Sequence, residues 1–223
     1  MTNNYKTIAW NVDTQRDFME TLDSTGYQGK LALENGMDIA NNLQTLTNYL
    51  QKSNIPMFGS QDYHTRDSKE LSKNPDFINT FPEHCMQNTY GAENIDATKL
   101  INPLNINWDK NYNTGDLLQK IKDHTGEVMF QKDKFDVFEG NKYTTDVIKN
   151  LGVENVLVYG VATDVCNNAA VTGFRKLGIQ VYAITDTMKG INYENSKKAI
   201  ESWQKGANPA KIITLENVLR GEY

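Results

Sequence analysis

The sequence predicts an α/β protein of the three-layer, Rossmann type: a single domain with an open, mostly parallel six-stranded sheet and helices on both faces. Short apolar runs alternate with stretches of helical periodicity, which is the pattern of βαβ units that build a parallel sheet. The 223 residues suit one domain of generous size. Because no internal repeat, low-complexity tract or flexible linker interrupts the chain, residues 1–223 are expected to form one domain.

Six apolar runs are predicted to be the strands of this sheet. They occupy positions 7–13, 56–62, 127–132, 155–160, 179–186 and 211–215.

Helical periodicity accounts for most of the sequence between these runs. In the stretch 33–53, Ile39, Leu43, Leu46 and Leu50 recur on one helical face, which predicts a crossover helix. Further helices are predicted at 142–151, 164–177 and 193–206, each with a glycine at or just beyond its end that suits a C-terminal cap. The polar region 67–126 is expected to be a long irregular loop with a function.

Composition and charge exclude several classes of protein. A net charge of -5 provides no broad basic surface for nucleic acid. No apolar run approaches the roughly 20 residues that a membrane helix needs, and the first residues do not have the pattern of a secretion signal, so a cytoplasmic protein is expected. Two cysteines do not form a disulfide framework in a chain of this length.

Chemically reactive residues fall where the predicted strands end. In open α/β sheets, ligands bind outside the carboxyl ends of the strands, and reactive residues scattered at random would not collect there. The residues concerned are Asp13 after the first run, Asp62 and His64 at the second, Lys132 at the third, Cys166 at the helix after the fourth, and His84 and Cys85 in the long loop.

Cys166 is the candidate nucleophile, because unpaired backbone N–H groups at a helix N-terminus and a nearby cation both favour a thiolate. Lys132 is the candidate cation. Asp13 is expected to accept the thiol proton and later return it to a departing amine. The backbone N–H groups of Ala162 and Cys166 are expected to stabilise the oxyanion that forms on an attacked amide carbonyl.

A metal site is predicted beside this nucleophile. Asp62 and His64 alternate with Tyr63 in an extended stretch, so both side chains project to the same face. His84 provides a third ligand from the loop. One carboxylate and two imidazoles suit one divalent ion, with zinc as the first choice and manganese or iron as alternatives.

Five motifs in order resemble the isochorismatase-like cysteine hydrolases and, within them, the nicotinamidases. They are NVDTQRDF (11–18), SQDYHT (60–65), FPEHCMQNTYGAE (81–93), KDKFDVF (132–138) and GVATDVC (160–166).

The resemblance assigns roles to matching residues. It implies that Asp13, Lys132 and Cys166 are catalytic, with Lys132 rather than Lys134 as the lysine, and that His84 is the third metal ligand. It also implies a cis peptide between Val161 and Ala162, and a metal ion that holds the pyridine nitrogen while the carboxamide faces the cysteine. By analogy, a homo-oligomer and a role in NAD salvage are expected.

The substrate pocket is predicted less directly. Phe18, Tyr63, Phe81 and Val161 are candidates for lining it, although the aromatic residues would also suit the ordinary core. The segment 19–33 is longer than its counterpart in the family, so it is expected to reshape the mouth of the pocket.

The leading functional hypothesis is hydrolysis of nicotinamide to nicotinate and ammonia through a thioester on Cys166. Alternatives are another small amide, carbamoyl or lactam-like substrate, a redox switch formed by Cys85 and Cys166, and a non-catalytic metal-binding or scaffold domain. An isochorismatase that cleaves a vinyl ether is disfavoured, because such enzymes commonly lack the metal set.

Overall fold

The structure is a computed structural model that describes residues 5–223. Within this range one sheet of seven strands forms, and each pair of neighbouring strands is parallel. The strands are β1 (Thr7–Val12), β2 (Met57–Asp62), β3 (Leu104–Asn107), β4 (Val128–Lys132), β5 (Asn155–Val161), β6 (Gln180–Lys189) and β7 (Lys211–Ile213). They lie in the order β3-β4-β2-β1-β5-β6-β7.

The prediction of six strands is wrong by one, because β3 lies in the region expected to be an irregular loop. This strand has only four residues, of which Leu104 and Ile106 are its buried apolar side chains. It forms the edge of the sheet beside β4. Two apolar residues flanked by polar ones carry too little periodicity to be recognised in a polar stretch. The other six strands are confirmed.

Helices cover both faces of the sheet, as predicted. The predicted 33–53 helix is shorter, and it follows a 3-10 turn at Gly36–Ile39. The helix that follows β3 was also missed in the supposed loop. The helices are α1 (Arg16–Met19), α2 (Leu22–Thr25), α3 (Ala40–Lys52), α4 (Thr114–Asp123), α5 (Val137–Gly140), α6 (Thr144–Leu151), α7 (Cys166–Lys176), α8 (Tyr193–Trp203) and α9 (Leu215–Leu219).

The sheet separates two apolar cores. Successive residues of β1 point to opposite faces, so Ile8 and Trp10 pack with α4 to α8 while Ala9 packs with α1, α3 and α9. Trp10 is fully buried and stacks on Phe130 with ring centroids 5.5 Å apart. Burial of such side chains contributes about 1.5–3 kcal/mol each. Among residues 5–223, no helix is both long and apolar enough to cross a membrane.

The chain order places a crevice at the centre of the sheet. From β1 the chain builds β2, β3 and β4 on one side, and then returns to build β5, β6 and β7 on the other. The carboxyl ends of β1 and β5 therefore meet at the point where ligands bind in such sheets. Gly160 permits this approach: its φ is 112°, and a Cβ there would lie 2.1 Å from the Val12 carbonyl oxygen.

Candidate active site

Three predicted catalytic residues meet at this crevice. Asp13 follows β1, Lys132 is the last residue of β4, and Cys166 is the first residue of α7. Lys132 Nζ lies 3.0 Å from Asp13 Oδ2 and 4.0 Å from Cys166 Sγ. Asp13 and Lys132 are fully buried, and Cys166 is 8% exposed. Sulfur, carboxylate and ammonium thus share one water-poor site.

Local backbone geometry directs the Asp13 carboxylate. Asp13 has a φ of 47°, in the left-handed region that ordinary residues seldom adopt. Its Oδ1 accepts a 2.7 Å hydrogen bond from Ser60 Oγ, and its backbone N–H donates to the Ser60 carbonyl oxygen. The neighbouring strand β2 therefore holds the carboxylate in place and leaves Oδ2 for Lys132.

Burial and neighbouring charges shift the pKa values of all three groups. Burial alone would lower the pKa of Lys132, but Asp13 and Asp62 outweigh it and raise that pKa well above its ordinary value. Burial, which outweighs the attraction of Lys132, raises the pKa of Asp13.

Lys132 acts to lower the pKa of the Cys166 thiol, as expected, but the expectation that this pKa is low overall is wrong for the chain alone. Burial raises this pKa well above its ordinary value; Lys132 opposes the rise, while Asp13 and Asp62 add to it. The sequence showed the cation but neither the burial nor the second carboxylate. In the chain alone, burial therefore favours the neutral thiol of Cys166.

The turn between β5 and α7 presents the two predicted oxyanion donors. The Val161–Ala162 peptide bond is cis, as the resemblance implies. Within residues 5–223, neither the Ala162 N–H nor the Cys166 N–H donates to an acceptor. The side-chain amide of Asn167 donates a 2.7 Å hydrogen bond to the Gly160 carbonyl oxygen and so braces this turn. Both N–H groups remain available for a ligand.

Asp62, His64 and His84 form the predicted metal set, with one ligand atom from each lying within 4.8 Å of the others. His84 Nδ1 lies 2.7 Å from the Pro82 carbonyl oxygen, which requires a proton on Nδ1 and leaves Nε2, 3.4 Å from Asp62 Oδ2, as the nitrogen that could bind a metal ion. His64 is fully buried, and neither of its ring nitrogens has a hydrogen-bond partner.

These features fit a bound cation. An unpaired buried imidazole costs free energy, and a divalent ion would use the lone pair that no protein group takes. The donor set of one carboxylate and two imidazoles suits zinc, manganese or iron.

Gln15 holds the end of strand β2 that carries Asp62, a role that its residue type alone does not indicate. Its side-chain amide donates to the Asp62 carbonyl oxygen, and its side-chain oxygen accepts from the Asp62 N–H, both at 2.7 Å. Gln15 is fully buried. Its place inside the NVDTQRDF motif was the available signal.

A narrow cavity opens beside Cys166. Phe18, Phe81 and Val161 line it, as predicted. Tyr63 is not among the lining residues: strand alternation turns it away from Asp62 and His64, and its hydroxyl contacts Asn88 Oδ1 at 3.0 Å. Leu31 and Leu33 also line it, and they belong to the segment 19–33 that was expected to reshape the mouth. Lining residues that the sequence did not indicate are Glu70, Phe135, Val165 and Ile191.

Glu70 is the unexpected polar residue in this lining. It is 7% exposed, and its Oε1 accepts a 2.8 Å hydrogen bond from the Phe135 N–H. Burial, followed by the charge of Asp62, raises the pKa of Glu70 to about 7. Its position in a polar stretch gave no sign of burial.

The third histidine and the other cysteine of the chain lie elsewhere. His124 is outside the cavity lining, and its Nε2 lies 2.8 Å from the Asn102 carbonyl oxygen. Cys85 and Cys166 are both free thiols and belong to cores on opposite faces of the sheet. The structure therefore gives a disulfide switch between them no support.

Comparisons with known proteins agree with this arrangement. A family model described as Isochorismatase domain matches residues 10–216. The chain is 27% identical to the nicotinamidase of Escherichia coli strain K12 in an alignment of 227 positions that covers 92% of each protein.

Two solved structures share the fold. A nicotinamidase/pyrazinamidase from Bacillus subtilis aligns with a TM-score of 0.69 at 17% identity, covering 93% of this chain and 99% of that one. A pyrazinamidase of Pyrococcus horikoshii in complex with zinc aligns with a TM-score of 0.67 at 22% identity, covering 94% and 99%.

Proposed function

The chain belongs to the isochorismatase family, and from this premise we propose that it is a metal-dependent cysteine amidohydrolase that converts nicotinamide and water to nicotinate and ammonia. The observation that carries the proposal is the position of Lys132, which contacts Asp13 in the catalytic trio and Asp62 in the metal set. The name of the Escherichia coli relative supports the choice of substrate.

The cavity supports a small aromatic amide. Phe18, Phe81 and Phe135 offer aromatic surface beside Cys166, which suits the ring of such a substrate. Its carboxamide carbon would lie against Sγ, with the carbonyl oxygen towards the Ala162 and Cys166 N–H groups. These donors are already in place, so the developing negative charge requires little reorganisation.

Acylation begins at the neutral thiol of Cys166. Sγ forms a bond to the amide carbon while Asp13 accepts the thiol proton, and Lys132 stabilises the negative charge nearby. Asp13 then returns the proton to the amide nitrogen as the C–N bond breaks. Ammonia leaves, and a thioester remains on Cys166.

Deacylation reverses these roles with water as the nucleophile. Asp13 accepts a proton from water as the water oxygen attacks the thioester carbon, and the C–S bond breaks. Asp13 returns this proton to the sulfur, and the carboxylic acid product releases the second water proton to solvent and departs as nicotinate.

Asp62, His64 and His84 are the residues that would hold the metal ion. When bound, the ion supplies a Lewis acid that can accept a lone pair from a substrate heteroatom. The zinc named with the Pyrococcus horikoshii pyrazinamidase and the unpaired His64 nitrogens support zinc as the first choice.

Ammonia release with nicotinamide, benzamide and an unrelated aliphatic amide tests the proposal. Benzamide has the same shape as nicotinamide but lacks the ring nitrogen. We expect nicotinamide to give the highest kcat/KM, with nicotinate as the product. Equal rates for all three would overturn the substrate assignment and leave another small amide, carbamoyl or lactam-like compound as the substrate class. No release from any amide would overturn the amidohydrolase assignment.

A further inference from the structure

Asp17 is a buried carboxylate that takes no part in the reaction proposed above. It lies in α1 and is 2% exposed. Three donors from two other segments converge on it, one from the loop of His84 and two from the segment that forms the mouth of the cavity. One side chain therefore joins two parts of the site that are distant in sequence.

On the metal side, Asp17 holds the backbone next to both histidines. Its Oδ2 accepts a 2.6 Å hydrogen bond from the Cys85 N–H. Cys85 follows His84 directly, and its carbonyl oxygen accepts a 3.1 Å hydrogen bond from the His64 N–H. The position of this one residue therefore affects two of the three predicted ligands.

On the mouth side, Asp17 holds the segment 27–33, which belongs to the stretch that departs from the family pattern. Its Oδ1 accepts from the Tyr27 hydroxyl at 2.8 Å and from the Lys30 N–H at 3.0 Å. Its carbonyl oxygen accepts from the Leu31 N–H at 3.0 Å. Because Leu31 and Leu33 line the cavity, Asp17 sets one wall of it.

The backbones of two glycines pack closely against the carboxylate and the backbone of Asp17. A Cβ on Gly91 would lie 2.3 Å from the Asp17 carboxylate, and a Cβ on Gly29 would lie 2.5 Å from the Asp17 carbonyl oxygen. Close packing of this kind transmits a displacement instead of absorbing it.

We propose that Asp17 is a positioning residue that couples the cavity mouth to the metal-binding loop, so that metal binding orders segment 27–33. The coupling rests on the metal site of the proposed function. Burial first, and then Asp17, raise the pKa of Tyr27, which keeps its hydroxyl protonated as a donor. No residue of segment 27–33 belongs to the predicted ligand set, so an effect of metal on this segment must travel through the protein.

Hydrogen–deuterium exchange on the wild-type chain, stripped of metal and then loaded with Zn²⁺ alone, is the first test. We expect Zn²⁺ to slow exchange in segment 84–91 and also in segment 27–33. Slowing in 84–91 without slowing in 27–33 would overturn the coupling while leaving the metal site intact. Absence of Zn²⁺ binding would overturn both.

Asp17→Asn is the second test. Both carboxylate oxygens of Asp17 accept hydrogen bonds, and the substitution replaces one of them with an NH₂ group that cannot accept. We expect Zn²⁺ affinity, measured by competition with a chelator, to fall about 10–100-fold, the usual effect of losing a group that supports metal ligands. Excess Zn²⁺ should restore kcat. The fall in affinity should persist where circular dichroism shows the metal-free variant to be folded, because bound Zn²⁺ would also rescue a merely unstable protein.

Two further variants complete the design. Asp186→Asn is the matched control, since Asp186 also accepts a backbone N–H, from Leu215 at 2.8 Å, but lies outside the site; its Zn²⁺ affinity should match the wild type. Tyr27→Phe should raise KM, speed exchange in 27–33 and lower Zn²⁺ affinity by less than Asp17→Asn does, because coupling between two sites is reciprocal. Unchanged exchange in 27–33 for Tyr27→Phe would contradict the proposal, and this result is available even if Asp17→Asn fails to fold.

Discussion

Asp62 and Lys132 face each other across adjacent strands and form a buried ion pair. They are register partners at the carboxyl ends of β2 and β4. Although burial opposes ionisation of this carboxyl, Lys132 and the two histidines hold the pKa of Asp62 well below its ordinary value. Because Lys132 also contacts Asp13, the charge of the metal set and the charge of the catalytic trio depend on each other.

Lys132→Met should both destabilise the protein and abolish turnover. Removing the ammonium leaves Asp13 and Asp62 as buried carboxylates without their cation, and loss of one partner from such a pair costs about 3–5 kcal/mol. It also removes the charge that lowers the pKa of Cys166, so alkylation of that thiol at pH 8 should slow. Urea unfolding and iodoacetamide kinetics measure the two effects.

Lys134→Met is the matched control for this prediction. The Lys134 side chain is 47% exposed, and its ammonium lies 3.6 Å from Glu139 on the surface. Surface pairs of this kind contribute about 0–1 kcal/mol. Comparable losses in the two variants would refute the assigned role of Lys132.

Cys166→Ala should lower kcat/KM for nicotinamide at least about a thousandfold, because no other group in the site can form the thioester. The substitution removes only a sulfur atom beside an existing cavity, so the unfolding midpoint and the Zn²⁺ content should stay close to those of the wild type. Retained ammonia release would remove Cys166 from the mechanism.

The sequence predicted the catalytic residues more fully than it predicted the residues that line the cavity beside them. Asp13, Lys132 and Cys166 each adjoin an apolar run, so their meeting follows from strand ends in a parallel sheet. Glu70 and Leu31 enter the cavity through loops, whose paths depend on tertiary contacts such as those of Asp17. The pKa of the Cys166 thiol was mispredicted for the same reason. The position of a residue in a helix can be read from the local sequence, whereas its burial depends on the whole fold.

His64→Asn should abolish stoichiometric zinc binding. Its imidazole is one of three predicted ligands and has no hydrogen-bond partner to hold it otherwise. Elemental analysis after dialysis against Zn²⁺ should show about one ion per chain for the wild type and far less for the variant. His124→Asn removes a histidine outside the cavity lining and should retain the ion. Equal zinc content in the two variants would contradict the assigned ligand set.

Glu70→Gln should change how stability depends on pH. The pKa of Glu70 rises from its ordinary 4.5 to about 7 in the folded protein. Between these values the folded chain keeps a proton that the unfolded chain releases, so the contribution of Glu70 is fully present below pH 4.5 and is lost as pH rises through 7. At pH 8 the buried carboxylate costs about 1–3 kcal/mol.

Glutamine keeps an oxygen for the Phe135 N–H but carries no charge, so the variant should be more stable than the wild type at pH 8 and nearly equal to it at pH 5. Urea unfolding of the metal-free protein at several pH values measures this difference. Glu34→Gln makes the same chemical change at an exposed position, and its stability should follow the wild type throughout. If the Glu70→Gln profile also ran parallel to that of the wild type, Glu70 would not titrate in this range, and the cavity wall would carry a charge at neutral pH.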